Sequence, residues 1–320
     1  MKRTDINAIE QLLSRLPVEL KKYFANQLLG QINAQADTLI ETARPHPLCP
    51  HCGNEHPVKW GRSGGLQRYR CHNPVCLKTF NTLTGTPLAK LHHRDKWFAY
   101  LGCMLDSLTL RITAKRLGID LKTAFRWRHR FLASAAKTNA NALSGIIEVD
   151  ETWFLESCKG KRRLTHRMTR KRGGQGSKKK KADKVQVVIA RDRNGHISDL
   201  VGPTLSKSAV HAFLEPIIDH DSILCSDGHS WYKTFSAEHD IAHHRLITLD
   251  HQRVIGKEYH IQNVNAYISR LKGWIARFRG VGTAYLPNYL AWRRLFENGD
   301  SSEEAWLRSA IGIKQQQIPT

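Results

Sequence analysis

The sequence predicts an α/β chain in which three small modules precede one larger domain. Three observations predict it. Apolar runs of strand type begin near residue 145 and recur as GIIEVD, VQVVIA, HISDLVG, SILCSD and HRLIT, with helical stretches separating or following the later ones. Four of the seven cysteines crowd into residues 49–76. Between that cluster and the first strand run, His92 to Ala136 reads as helical.

Composition narrows the function classes. The 320 residues carry 50 Lys+Arg against 28 Asp+Glu, a formal charge of +22. At ~100–200 residues per domain the length suggests two or three domains. A hydrophobic share of 41% is enough for packed cores and argues against wholesale disorder. No apolar run approaches the ~18–20 residues needed to span a bilayer. Asp5, Asn7, Glu10 and Gln11 break the N-terminus too early for a signal peptide. Membrane and secreted readings are therefore poor, and a cytoplasmic protein is expected. A positive charge this large points to nucleic acid, because neutralising phosphates releases counterions and drives binding.

In residues 1–44, Leu12, Leu13, Leu16, Leu20, Phe24, Leu28 and Ile32 recur at roughly helical spacing, and Pro17 marks a break or a new helix start. This segment reads either as an oligomerisation face or as a cap packed on the rest of the chain. Residues 45–88 carry Cys49-Pro-His-Cys52 and Cys71-His-Asn-Pro-Val-Cys76. Two short cysteine pairs on separate turns supply the four tetrahedral ligands of a structural Zn2+. His51 and His72 are possible substitutes. Gly53 suits a tight knuckle, and VKWGRSGGLQRYRC reads as a hairpin with a Gly-Gly turn. Lys59, Arg62, Arg68, Arg70 and Lys78, with Trp60 and Tyr69, give this zinc ribbon a basic face. Cys103, Cys158 and Cys225 lack paired spacing and read as ordinary thiols.

Within 92–136, SLTLRITAKRLGIDLKTAFRWRHRFLAS reads as two helices around a turn at Gly118, a helix-turn-helix. Ile112, Leu117, Leu121, Phe125 and Trp127 are expected on the packed side. Lys122, Thr123, Arg126, Arg128, His129 and Arg130 fill the other faces, and Lys122, Thr123, Arg126, Arg128 and Arg130 are expected to touch DNA. A second basic element is 159–184, KGKRRLTHRMTRKRGGQGSKKKKADK, whose glycines and single acid suggest a loop; Lys178, Lys179 and Lys180 are its expected phosphate contacts.

Few acids stand out. Asp150 ends one apolar run and Asp227 another. Carboxylates at strand ends are well placed to converge, and hard cations such as Mg2+ or Mn2+ want oxygen ligands. On a helix expected from about His260, Asn265 and Lys272 lie seven apart and share one face at ~3.6 residues per turn. Asn265 can ligate through its carbonyl oxygen, and Lys272 can hold a phosphate. Asn263 and His260 sit nearby as substitutes or supporting groups.

These stretches together resemble the DDE-type transposases of bacterial insertion sequences, in the branch with an N-terminal zinc ribbon and Asn at the third catalytic position. The resemblance is carried by CPHC…YRCHNPVC, FNTLTGTPL, IIEVDETWF, ILCSDGHSWY and HIQNVNAYISRLKGWIARFRGVGTAYLPNYLAWRR, from about residue 45 to 294. It implies a ribonuclease-H-like domain over 144–310, a mixed sheet with flanking helices. The first acid would sit on its first strand, the second on a later strand and the third ligand on a following helix. The matching positions are Asp150, Asp227 and Asn265, with Lys272 as basic partner and 159–184 between the first two strands. Asn265 stands where the wider superfamily has Glu; Glu258, upstream of the expected helix start, is the less favoured alternative. The activity implied is metal-dependent cleavage and strand transfer at terminal inverted repeats, by a homodimer or larger synaptic complex on double-stranded DNA. A DNA-binding regulator, an inactive transposase copy and a nuclease without strand transfer are the alternatives.

Overall fold

The computed structural model describes residues 3–44, 47–137, 142–161, 163–164, 184–247, 254–297, 299 and 302–312. The chain divides into two compact units, Met1–Phe131 with Ser302–Thr320, and Leu132–Ser301. No described helix is long and apolar enough to cross a membrane.

The first unit opens with α1 (Arg3–Arg15) and α2 (Val18–Thr42), separated at Pro17. The C-terminal end of α2 is packed: Ala36, Leu39 and Ile40 are buried. Glu41 there accepts from the Gln67 backbone N–H at 2.7 Å and from Arg62 at 2.9 Å. Earlier in the pair, Leu12, Leu13, Leu20, Phe24 and Leu28 are exposed. The end of the segment is thus a packed cap, and its beginning presents apolar side chains without cover among the described residues.

The ribbon is a three-stranded antiparallel sheet of β1 (Val58–Ser63), β2 (Leu66–Arg70) and β3 (Thr79–Asn81), in that order. Gly64 and Gly65 form the expected turn, both at positive φ (55° and 86°), the backbone that a two-residue hairpin of this twist requires. A Cβ on Gly65 would also meet the Asp37 carboxylate at 2.7 Å. Beyond the ribbon come α3 (Trp97–Leu105), α4 (Leu110–Leu117) and α5 (Leu121–Leu132). Trp97, Tyr100, Trp127 and Phe131 pack edge-on and stacked at 5.3–5.8 Å to form their core. The last helix, α10 (Glu303–Ile311), packs on α3 and α2 and joins this unit, although residues up to 310 were expected in the catalytic domain.

The second unit holds a five-stranded mixed sheet in the order β6-β5-β4-β7-β8: β4 (Ile146–Leu155), β5 (Lys184–Asp192), β6 (Ile197–Gly202), β7 (Ile223–Ser226) and β8 (Ala242–Arg245). The first three are antiparallel, and β7 and β8 run parallel to β4. Side chains alternate faces along a strand, and β4 uses this fully. Ile147 and Val149 pack into a core with Val210, Phe213 and Leu214 of α6 (Lys207–Leu214) and Tyr232 and Phe235 of α7 (Ser230–Glu238). Glu148 instead bonds to α8 (Gln262–Ala276), whose Val264, Tyr267, Ile268, Leu271, Trp274 and Ile275 are buried. An aromatic cluster, Trp274 and Phe278 against Tyr289 and Trp292, joins α8 to α9 (Leu286–Glu297) at 5.0–6.2 Å. This is the mixed α/β domain with flanking helices that the resemblance implies.

Candidate metal centres and nucleic-acid surface

In the ribbon, all four cysteine sulfurs lie within 4.8 Å of one another, Cys49 to Cys76 at 3.7 Å and Cys52 to Cys71 at 3.5 Å. A disulfide would hold its sulfurs at about 2.05 Å, whereas ligands ~2.3 Å from a tetrahedral Zn2+ stand about 3.8 Å apart. The donor set and spacing therefore fit zinc. Two knuckles set it. Gly53, at φ 75°, donates to the Cys49 carbonyl at 2.8 Å, and the Cys76 and Leu77 N–H groups donate to the Asn73 carbonyl at 2.9 and 3.0 Å. Burial and the neighbouring sulfurs push the Cys71 thiol up to about 12, a crowding that a dication relieves. Cys103, Cys158 and Cys225 stand outside this group.

The second centre forms where β7 ends. Pairing of β4 with β7 stops at Val149–Ser226, one residue before each predicted acid. The edge of β4 is open from there, and Asp150, Glu151 and Asp227 bring carboxylate oxygens within 4.8 Å of one another. Asp150 lies on the strand face that meets α8, and Glu151 on the face that meets α7. Tyr232 of α7 donates to Glu151 Oε1 at 2.6 Å, fixing one oxygen. The Glu151 N–H donates to Asp150 Oδ1 at 2.8 Å.

The electrostatics mark a site short of positive charge. Burial foremost pushes the Asp150 carboxyl from 3.8 up to about 6. The Glu151 N–H opposes the rise, the Asp227 and Glu151 charges add to it, and Lys272 opposes it. Burial also raises Glu151, against the pull of the Tyr232 hydroxyl. Oxygen donors from three carboxylates at a partly open corner fit hard divalent cations.

Asp150 and Asp227 thus come together, and Glu151 joins them; Asp227 sits just past the end of its strand as expected, but Asp150 is mid-strand, because β4 continues to Leu155 along its pairing with β5. Asn265 and Lys272 are both exposed on α8, on the same side of the helix and about 10.5 Å apart along it at ~1.5 Å per residue. Lys272 is near enough to act on Asp150. Glu258 lies ahead of α8 and outside the carboxylate group, as the sequence implied.

The expected DNA-binding residues divide. α4 and α5 flank a left-handed Gly118 (φ 57°) as predicted, and Lys122 and Arg126 are exposed, with Thr123 half-buried. Arg128 does not fit the expectation. It is 0% exposed and donates to the Leu108 carbonyl at 2.7 Å, so it has no surface to offer DNA. Arg130 is likewise turned inward, donating to the Pro87 and Ala89 carbonyls. The packed side of α5 is Ala124, Trp127, Arg128 and Phe131, while Ile112, Leu121 and Phe125 are exposed. The helix is rotated from the orientation expected. Lys178, Lys179 and Lys180 lie outside the described residues. Lys159, where that basic segment starts, is committed to structure: its Nζ donates to the Gly280 carbonyl at 2.8 Å, beyond the end of α8.

Comparison with known proteins bears on this unit. Residues 142–294 match the ISXO2-like transposase domain family. The match spans Asp150, Glu151, Asp227 and all of α8, and supports transposase-like catalytic chemistry in general. Over 246 residues the chain is 25% identical to an uncharacterized protein in transposable element ISH50 of Halobacterium salinarum, covering 76% of this chain and 82% of that one. Looser structural likenesses are to a simian T-cell lymphotropic virus intasome in complex with PP2A regulatory subunit B56 gamma and to a pre-cleavage Mos1 transpososome. The first has a TM-score of 0.29 and 10% identity, over 60% of this chain and 66% of that one. The second has 0.24 and 13%, over 68% and 79%. At such scores they fix no residue correspondence.

Proposed function

We propose that this chain is a DNA transposase that binds the terminal inverted repeats of an insertion sequence and catalyses DNA cleavage and strand transfer. The observation that carries the reading is the corner where Asp150, Glu151 and Asp227 converge at the end of β7, inside the segment that matches a transposase domain. Asp150 and Asp227, with Glu151 beside them and the Asn265 amide oxygen on α8, would hold Mg2+ or Mn2+. When bound, a pair of such ions activates an attacking oxygen and stabilises the leaving one in an in-line phosphoryl displacement.

The residues of the chain do the rest. The Glu151 N–H and Tyr232 hydroxyl fix the carboxylates in advance, so that little reorganisation accompanies the reaction. Lys272, exposed on α8 and close enough for its charge to act on Asp150, would neutralise a phosphate next to the reacting one. In the first step water attacks a phosphodiester, the P–O bond breaks, and a 3′-OH and a 5′-phosphate are left. In the second that 3′-OH attacks a target phosphodiester and a target 3′-OH leaves. No covalent link to the protein is needed. The zinc ribbon and a helix-turn-helix of α4 and α5, through Lys122, Thr123 and Arg126, would select the element ends. Joining two ends calls for a homodimer or larger synaptic complex.

The test incubates purified protein with labelled element ends, a target plasmid and Mg2+ or Mn2+, beside Asp150→Ala. The expected result is metal-dependent nicking followed by joined products, both lost in the variant. Binding without nicking would overturn the catalytic reading, and nicking without joining would favour a nuclease.

A further inference from the structure

β4 carries an acid that the proposed chemistry does not use. Glu148 is two residues before Asp150 on the same strand face, and it is 1% exposed. A carboxylate so deep needs several partners, and it has them. Oε2 accepts from the Val264 backbone N–H at 2.9 Å, and Oε1 accepts from the Asn263 side chain at 3.0 Å. Arg193, in the turn after β5, reaches Oε1 at 3.2 Å, and the His260 ring lies 3.4 Å away. Arg193 also donates to the Glu258 carbonyl at 2.9 Å, tying down the approach to the helix.

The sequence of α8 explains why this matters. A helix leaves its first backbone N–H groups without intrahelical partners, and a Ser, Thr, Asp or Asn just before it normally accepts one. The residue in that position is Ile261, which has no acceptor, and no side-chain cap is present. Glu148 supplies the missing cap from another strand, and its charge suits the positive end of the helix dipole. The next residue after the capped Val264 is Asn265.

We propose that Glu148 is the positioning residue of the catalytic corner: it caps α8 across the domain and so fixes Asn265 and Lys272 relative to Asp150. The cap and the first acid sit on one strand, two residues apart. One buried carboxylate therefore ties the start of α8 to the strand that carries the first acid. The inference rests on the reading of the corner as a divalent-cation site.

The test uses the full-length protein and two readouts that need no turnover. Mn2+ affinity is measured by electron paramagnetic resonance, and amide hydrogen exchange is followed along α8. Wild type, Glu148→Gln, Glu148→Ala and Asp150→Ala are compared. Partners that orient metal ligands are typically worth about 10–100-fold in affinity. Glu148→Ala should lose that much, and Glu148→Gln, which keeps an acceptor for the Val264 N–H, should fall between it and wild type. Exchange should rise over 262–266 and stay unchanged in the second half of α8. Should a Glu148 variant fail to fold, Asn263→Ala, which removes one partner from a half-exposed position, carries the same expectation at smaller size. Folded variants that bind Mn2+ like wild type while Asp150→Ala does not would overturn the inference alone. So would weakened binding with unchanged exchange at the start of α8. Wild type binding no better than Asp150→Ala would overturn the metal site itself.

Discussion

Asp150→Asn should stabilise the metal-free protein while abolishing its response to metal. Asn keeps the shape and the oxygen that accepts the Glu151 N–H at 2.8 Å, and it removes only the charge. That charge is costly without a cation, because burial above all, with Asp227 and Glu151 adding, pushes the carboxyl from 3.8 up to about 6. At 1.36 kcal/mol per pH unit this corresponds to about 3 kcal/mol, and water reaching the open corner lowers the expected gain to roughly 1–3 kcal/mol. The sign follows from proton linkage. Between pH 4 and 6 the folded chain holds a proton that the unfolded chain has released, so stability falls as pH rises through that window, and the full cost stands above pH 6. Asn does not titrate and escapes it. Thermal unfolding of wild type and variant in chelator should therefore coincide at pH 4 and separate at pH 7.5, with the variant higher by roughly 3–9 °C. Mn2+ at a hundred times its Kd should then raise wild type by about 2.7 kcal/mol and leave the variant nearly unmoved. A variant less stable than wild type in chelator at pH 7.5 would deny the cost of the Asp150 charge, and one that gains as much from Mn2+ would deny its part in holding metal.

Other consequences are equally specific. Elemental analysis should find one zinc per chain, and Cys71→Ser should lose it together with binding to element ends, while the transition that responds to Mn2+ persists; normal end binding would remove the ribbon from recognition. Arg128→Ala should destabilise the first unit by about 2–3 kcal/mol, the size of a buried charged hydrogen bond, whereas Lys122→Ala should leave the melting temperature alone and lower the salt slope of DNA binding by about one. Burial, with the nearby Arg128 charge, holds His129 down at about 4 against an ordinary 6.5. Its stabilising contribution is complete above pH 6.5 and disappears as pH falls to 4, so urea midpoints of the first unit should drop over that range and drop less in His129→Gln.

Much of the corner was legible in the sequence because an acid closing an apolar run has few places to go. Asp227 follows the end of β7, and Asp150 lies on the neighbouring parallel strand β4 one residue past the last β4–β7 pair, so the register of the two strands brings them together. Glu151 was not legible, since the pleat assigns it to the opposite face from Asp150. What brings it in is the early end of β7, a fact about pairing that no spacing within β4 encodes. The rotation of α5 was hidden for a different reason. FRWRHRF offers apolar residues on two sides, and only the aromatic partners on α3 decide that Trp127 and Phe131 are inside and Phe125 outside. A basic residue is not by itself a DNA contact either: Arg128 caps a carbonyl, Lys159 closes the end of α8, and Arg294 is 5% exposed and paired with Asp199. The zinc ribbon was read almost completely, because its ligand spacing and Gly-Gly turn are local.

Everything proposed for the carboxylate corner depends on its holding hard divalent cations. Anomalous diffraction from crystals of the full-length protein grown with Mn2+ tests it most directly. A peak should stand within ~2.0–2.3 Å of Asp150 and Asp227 oxygens and disappear in Asp150→Asn. Manganese bound elsewhere, with none at this corner, would contradict it.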